Sequence, residues 1–223
     1  PNNIPEELPI LPLLNVVLFP KMVLPLVVMQ EESIQLIDEA MSKDRLIGTM
    51  AARKSDPQSE YEPGDLYDVG CSAVILKMAK TEDNRAQLLL QGLGRFTVQE
   101  YLETRPYLKA RIESVSVDES RDKEIEAMMA NLVTQYEKAV ELSSSLPDEM
   151  GAMAKSLEEP GTLADMVTST IDSETKAKQE VLELFEVKPR LRKVTQLVSY
   201  QLDILEIGNK IQSQVKGDME KQQ

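Results

Sequence analysis

The residue types that carry most enzymatic chemistry are missing from this chain or scattered along it. There is no histidine, which removes the commonest general base and the commonest metal ligand together. The single cysteine, Cys71, lies inside the apolar run "VGCSAVILKM" (69–78) and reads as a small core residue. One cysteine permits neither an intrachain disulfide nor a cysteine-rich zinc site. Carboxylates are plentiful, but pairs such as Glu31–Glu32 and Glu158–Glu159 are ordinary solvated surface in type and spacing. The phosphate-cradling pattern G-x-x-x-x-G-K-[ST], a D-x-[DN]-x-[DN]-G calcium loop and a nucleophile elbow do not occur. "QGLGRF" (91–96) contains Gly-Leu-Gly, yet no third glycine or following helix completes a dinucleotide fingerprint, so it reads as a tight turn between two strands. No catalytic, cofactor-binding or metal-ligating residue is expected, and the chemistry left to this chain is binding.

The totals narrow what it binds. With 223 residues, 42% hydrophobic and 28% charged, the chain is long enough to bury a core and polar enough to be soluble. The net charge of −13 divides over both halves, −5 in residues 1–117 and −8 beyond. Neither half attracts nucleic acid or an anionic membrane. The longest apolar run is interrupted by Pro25 and is too short to span a bilayer, and "PNNIPEEL" lacks the basic start of a signal peptide. A reduced, cytoplasmic setting is expected.

Two kinds of periodicity divide the chain near residue 117. Up to there it reads as strands. Val69–Met78 is apolar on both faces, "TEDN" (81–84) is a turn, and Arg85–Leu93 returns as the second arm of a hairpin. "RLIGTMA" (45–51) and the alternating Leu108, Ala110 and Ile112 add further strands, with a bulge expected near Ser114. One helix interrupts them, with Ser33 as its N-cap and Ile34, Ile37, Ala40 and Met41 on its inner face. Residues 53–68 read as a polar surface loop. Beyond Val117 helical stripes take over: Ile125, Met128, Met129, Leu132, Val133, Tyr136 and Val140, then Met150 to Leu157, Leu163 to Ile171, and Ala177, Val181, Leu184 and Phe185. A last helix runs from about Pro189 to Gln222, a stalk of roughly 50 Å at about 1.5 Å per residue. The expected architecture is α+β. Residues 1–117 form a compact β domain with one small helix, and residues 118–223 form a helical bundle ending in the long helix.

The stretch "LPILPLLNVVLFPKMVLPLVV" (8–28) joins apolar content to four prolines, Pro9, Pro12, Pro20 and Pro25. Proline cannot donate to a ladder, so this reads as several short strand pieces with a corner at Pro20–Lys21.

That stretch, followed by "ESI" (32–34), resembles the opening of the N-terminal domain of Lon proteases. The similarity continues through "DVGCSAVILKM" (68–78), "LLLQGLGRF" (88–96), "YLKARIESV" (107–115), "EEPGTLADMV" (158–167), "KQEVLELFEVKPRLRKVTQLV" (178–198) and "IQSQVKGDMEKQQ" (211–223). It covers nearly the whole chain. Glu31, Glu32 and Gln201 depart from the charges common in relatives. The resemblance implies a PUA-like cluster of strands followed by helices, as the N-terminal region of a cytoplasmic, ATP-dependent serine protease that assembles as a homohexamer. ATP and Mg would then belong to an ATPase module, and peptide cleavage to a Ser–Lys protease domain, with the long helix leading toward them. The implied partners are unfolded or damaged proteins, degron segments and the protein's own ATPase and protease domains.

Capture of unfolded chains needs exposed apolar surface. Leu18, Pro20, Met22 and Met78 are expected to supply it, with Pro20 keeping the corner rigid and the two methionines adapting to varied clients. Two other classes stay open: a free-standing adaptor built from the same domain, and a PUA-like RNA binder, which the acidic balance disfavours.

Overall fold

In the computed structural model, which describes residues 3–58 and 60–222, the chain is α+β and divides into two units. The first contains residues 1–116 and 175–185, and the second contains residues 117–174 and 186–223.

The first unit is built on a six-stranded mixed sheet: β1 (Glu7–Leu13), β2 (Val23–Val28), β3 (Leu46–Ala51), β4 (Val69–Lys80), β5 (Ala86–Glu103) and β6 (Lys109–Ser114). The order is β2-β5-β4-β3-β1-β6, and β5 also pairs with β6, so five strands close on themselves while β2 is added outside. Only β1 and β3 run parallel; the other pairs are antiparallel. Closure leaves apolar residues on both sides of the ring with cores to fill. One core gathers Leu11, Leu13, Leu18, Ile37, Ile75 and Leu90 with the helix α1 (Glu31–Met41). The other gathers Leu8, Ile10, Met50, Leu66, Phe96 and Ile112. Cys71 is buried in the first.

The prolines sit where a ladder is incomplete. β1 pairs with β6 over Glu7–Pro9 and with β3 over Ile10–Leu13, so Pro9 and Pro12 each have one unpaired flank. Pro25 lies in the outermost strand. Pro20 and Lys21 are the central residues of a turn closed by the Met22 N–H donating to the Phe19 carbonyl at 3.2 Å. Lys21 takes a φ of 67°, as the third position of a type II turn requires after proline.

Three local expectations change. The helix begins at Glu31 with Gln30 as N-cap, and Ser33 is buried inside it. The register shifts fall at Ser72/Ala73, Ile75/Lys77, Val98/Glu100 and Tyr101/Glu103 rather than near Ser114. "QGLGRF" is not a turn: it lies within the 18-residue β5. Gly92 is there because backbone comes close. A Cβ on Gly92 would stand 2.2 Å from the Phe19 carbonyl oxygen, and Gly92 exchanges backbone hydrogen bonds with Lys21 (2.9 Å) and Met22 (2.8 Å). The two glycines therefore mark a bulge and a close approach, as glycine inside a strand often does.

Helix α5 (Thr175–Leu182) belongs to the β unit, although its period grouped it with the helices. Side chains buried on the sheet hold it. Gln179 Nε2 donates to the Val69 carbonyl at 2.9 Å, and Arg95 Nε donates to the Leu182 carbonyl at 2.8 Å. Arg95 thus satisfies a carbonyl left open at the helix C-terminus.

The second unit packs α2 (Lys123–Leu142), α3 (Glu149–Ser156), α4 (Pro160–Thr170) and α6 (Val187–Lys221). Asp122 caps α2 by accepting the Ile125 N–H at 2.8 Å. Ile125, Met129, Leu132, Tyr136, Ala139 and Val140 face Leu163, Val167, Leu191, Val194 and Val198 in its buried interior. Arg190 and Asp165 form a buried ion pair there at 3.5 Å. The 35 residues of α6 span about 52 Å at 1.5 Å each. Its second half is exposed, including Ile204, Ile207, Ile211, Val215 and Met219. Among the described residues no helix is long and apolar enough to cross a membrane.

Candidate functional site

Strand alternation decides which side chains share a surface on β2, β5 and β4. The antiparallel registers place Val23 beside Gln91 and Val74, Pro25 beside Leu89 and Lys77, and Val27 beside Gln87 and Ala79. The intervening residues Leu24, Leu26, Val28, Leu88 and Leu90 turn inward to the first core. The outward set holds six apolar residues, two glutamines and one lysine, with no acid. In a chain of net charge −13 this is an unusual surface. Val23 and Val27 are each 52% exposed, and Met29, just past the strand, is 61% exposed.

A bulge enlarges the face. Between Ile75 and Lys77 the register slips, so β4 presents Leu76 and Lys77 opposite Leu89, and Leu76 is exposed. Beside this end of β4 lies an open groove of about 520 Å³, lined by Met41 and Arg45 from the end of α1 and its following turn, and by Lys77, Met78, Leu88 and Leu89 among others. The half-buried Met41 and Met78 give it an adaptable apolar wall.

The residues expected at the site scatter in burial. Leu18 is a correction: it is 3% exposed and packs in the first core, because the turn at Pro20–Lys21 folds the segment before it inward. Met22 is half-buried and leans on that core, and Pro20 is half-buried in the turn. Met78 is half-buried too, on the inward phase of β4, but its side chain lines the groove. The turn places no apolar side chain on the open face; it delivers the chain into β2. Val23, Val27, Met29 and Leu76 were not anticipated. A signal for the first two was available, since "VLPLVV" alternates and its proline marks an edge strand.

The other cluster of titratable groups is polar and tight. Arg105 Nη2 binds Glu60 at 2.8 Å and Glu62 at 2.7 Å. Partial burial, with Glu60 and Glu62 adding to it, raises the Glu32 carboxyl above its ordinary value although Arg105 opposes this. Tyr107 donates to Glu39, and burial with that bond pushes its phenol well up. The crevice beside these groups has a volume of about 10 Å³, room for one water at most. No nucleophile is paired with a base there, so the arrangement braces α1 and the loop before β4. Among the described residues no group of three or more acidic or thiol side chains is placed to hold a metal.

Comparison with known proteins gives the family and the fold. The profile of the family described as the ATP-dependent protease La (LON) substrate-binding domain matches residues 7–199. The Lon protease of Desulfosudis oleivorans is 47% identical over 222 residues, covering 100% of this chain and 27% of that protein. The Lon protease of Syntrophus aciditrophicus is 47% identical over 225 residues, covering 99% and 28%. The chain therefore spans about a quarter of the length of these relatives. Among solved structures, the N-terminal domain of a Mycobacterium avium complex Lon protease superposes with a TM-score of 0.70 at 19% identity, over 86% of this chain and 98% of that one. A Lon N-terminal domain protein from Xanthomonas campestris gives 0.59 at 17% identity, over 87% and 98%. With the profile spanning most of the chain and relatives at 47% identity along its whole length, this protein belongs to the Lon substrate-binding-domain family.

Proposed function

We propose that the chain is the non-catalytic client-recognition region of a Lon-type, ATP-dependent serine protease. It holds exposed apolar segments of unfolded, damaged or degron-bearing proteins and delivers them to the ATPase ring of the same cytoplasmic hexamer. ATP, Mg and peptide-bond cleavage belong to other domains of that protein. The observation that carries this reading is the acid-free apolar face of β2, β5 and β4 on a strongly acidic chain. A solvated face of this kind is costly to keep open unless something lands on it. Folded proteins bury their apolar residues and offer it little, whereas unfolded chains offer many short apolar runs. Each contact is weak, and several copies in a ring raise the total through effective concentration.

The test is NMR shift mapping of this chain with one client protein in its unfolded and folded forms. Shifts at Val23, Val27, Leu76 and Leu89 are expected with the unfolded form alone. Equal response to both forms, or shifts confined to other surfaces, refutes the reading.

A further inference from the structure

The groove beside Met78 differs from the rest of the apolar face in carrying charge. The β unit has twelve lysine and arginine residues up to position 116. Of these twelve, as far as the described residues show, the side chains of Arg45, Lys54 and Lys77 lack an ion-pair or hydrogen-bond partner. Two of those three line this one groove. Of the nearby acids, Asp38 holds Lys80 at 2.8 Å, and Asp44 keeps its charge but turns its carboxylate to the Leu46 N–H at 3.1 Å. The two cations also outweigh the partial negative charge at the C-terminal end of α1.

The groove is blocked at one end. β4 stays paired with β3 as far as Leu46–Val74, and the Ile75 N–H donates to the Arg45 carbonyl at 3.0 Å. From Leu76 to Lys80, β4 pairs only with β5 among the described residues. A segment lying beside β4 toward Val74 in the plane of the sheet meets Arg45 and β3, which stop that path.

We propose that the groove takes the free C-terminal end of an unfolded chain whose last residues are apolar, with the terminal carboxylate set against Arg45 and Lys77. The proposal rests on the reading of the adjoining face as client-binding. Met41, Met78 and Leu89 receive the last side chains, and the cations select an end over the middle of a chain.

The test uses the 223-residue chain and three fluorescent peptides of one apolar sequence: a free C-terminal acid, the C-terminal amide, and the amide with one internal aspartate. Anisotropy titration is expected to show the acid binding about tenfold tighter than either amide, the effect of one charge-assisted contact. In Arg45→Gln/Lys77→Gln the acid is expected to bind no tighter than the amide, while the circular dichroism spectrum holds. Lys77→Gln alone gives an intermediate loss. Equal binding of acid and amide to the unsubstituted chain overturns the proposal and leaves the client-binding face standing. Aspartate-amide binding as tight as the acid overturns the terminal assignment. Failure of all three peptides to bind overturns both readings.

Discussion

Replacing Val23 and Val27 together by threonine isolates the contribution of the open face. Threonine keeps the β-branched shape and strand preference, so β2 should stay paired with β5 over Val23–Val28. Each valine is 52% exposed, so about half of its side chain remains to be covered by a client. Full burial of such a side chain is worth roughly 1.5–3 kcal/mol, so half is about 1 kcal/mol per site, of which threonine, keeping one of the two methyls, forfeits about 0.5 kcal/mol. The hydroxyl adds a desolvation cost of similar order if the client gives it no partner. The double variant should therefore weaken client binding by about 2 kcal/mol, close to thirtyfold in dissociation constant. Stability should move by less than about 0.5 kcal/mol, because neither side chain contributes its outer half to the core. The assay is anisotropy titration with an unfolded, labelled client, alongside urea unfolding of the free chain. Leu102→Thr, at the other end of β5 and also exposed, is the control and should bind as the unsubstituted chain does. A shift below about threefold in the double variant, or an equal loss in Leu102→Thr, would show that the β2 face is not where clients land, and the reasoning from exposure would fail.

Two further predictions concern the framework. Gly92→Ala should destabilise the chain by about 3 kcal/mol, read as a lower urea midpoint, because the new methyl stands 2.2 Å from the Phe19 carbonyl oxygen and displaces the turn that hydrogen-bonds to Gly92 on both sides; an unchanged midpoint refutes the close approach. Tyr101 lies with its hydroxyl buried and unpartnered, and burial, reinforced by Asp68, pushes its pKa from 10.0 to about 12. Stability tied to it is complete below pH 10 and is lost as the pH rises toward 12, since the unfolded chain releases the proton first. Tyr101→Phe should flatten that alkaline decline and cost little near neutral pH, and a decline as steep as before would refute the assignment.

Much of this protein was written in its periodicities. Alternation up to residue 117 and helical stripes after it gave the α+β class, the hairpin of β4 and β5, and the long last helix. These follow from local rules, because a half-buried strand or helix must repeat its apolar positions at the period of its own backbone. The acidic balance and the absence of histidine set an expectation of binding rather than catalysis. Proline spacing announced irregular strands and the turn at Pro20–Lys21.

What the periodicities left undecided depends on partners distant in sequence. "QGLGRF" looks like a turn until Phe19 is seen lying against Gly92. Helix α5 has the stripe of a bundle helix, yet Gln179 and Arg95 fix it to the β unit across 110 and 87 residues of sequence. Leu18 and Val23 are both apolar residues of one segment, and nothing local says which is covered. That was settled by closure of the ring, which leaves β2 outside with one face on the core and the other in water. Burial is a property of how elements pack, and a side chain's own identity sets only how much it gains by being covered.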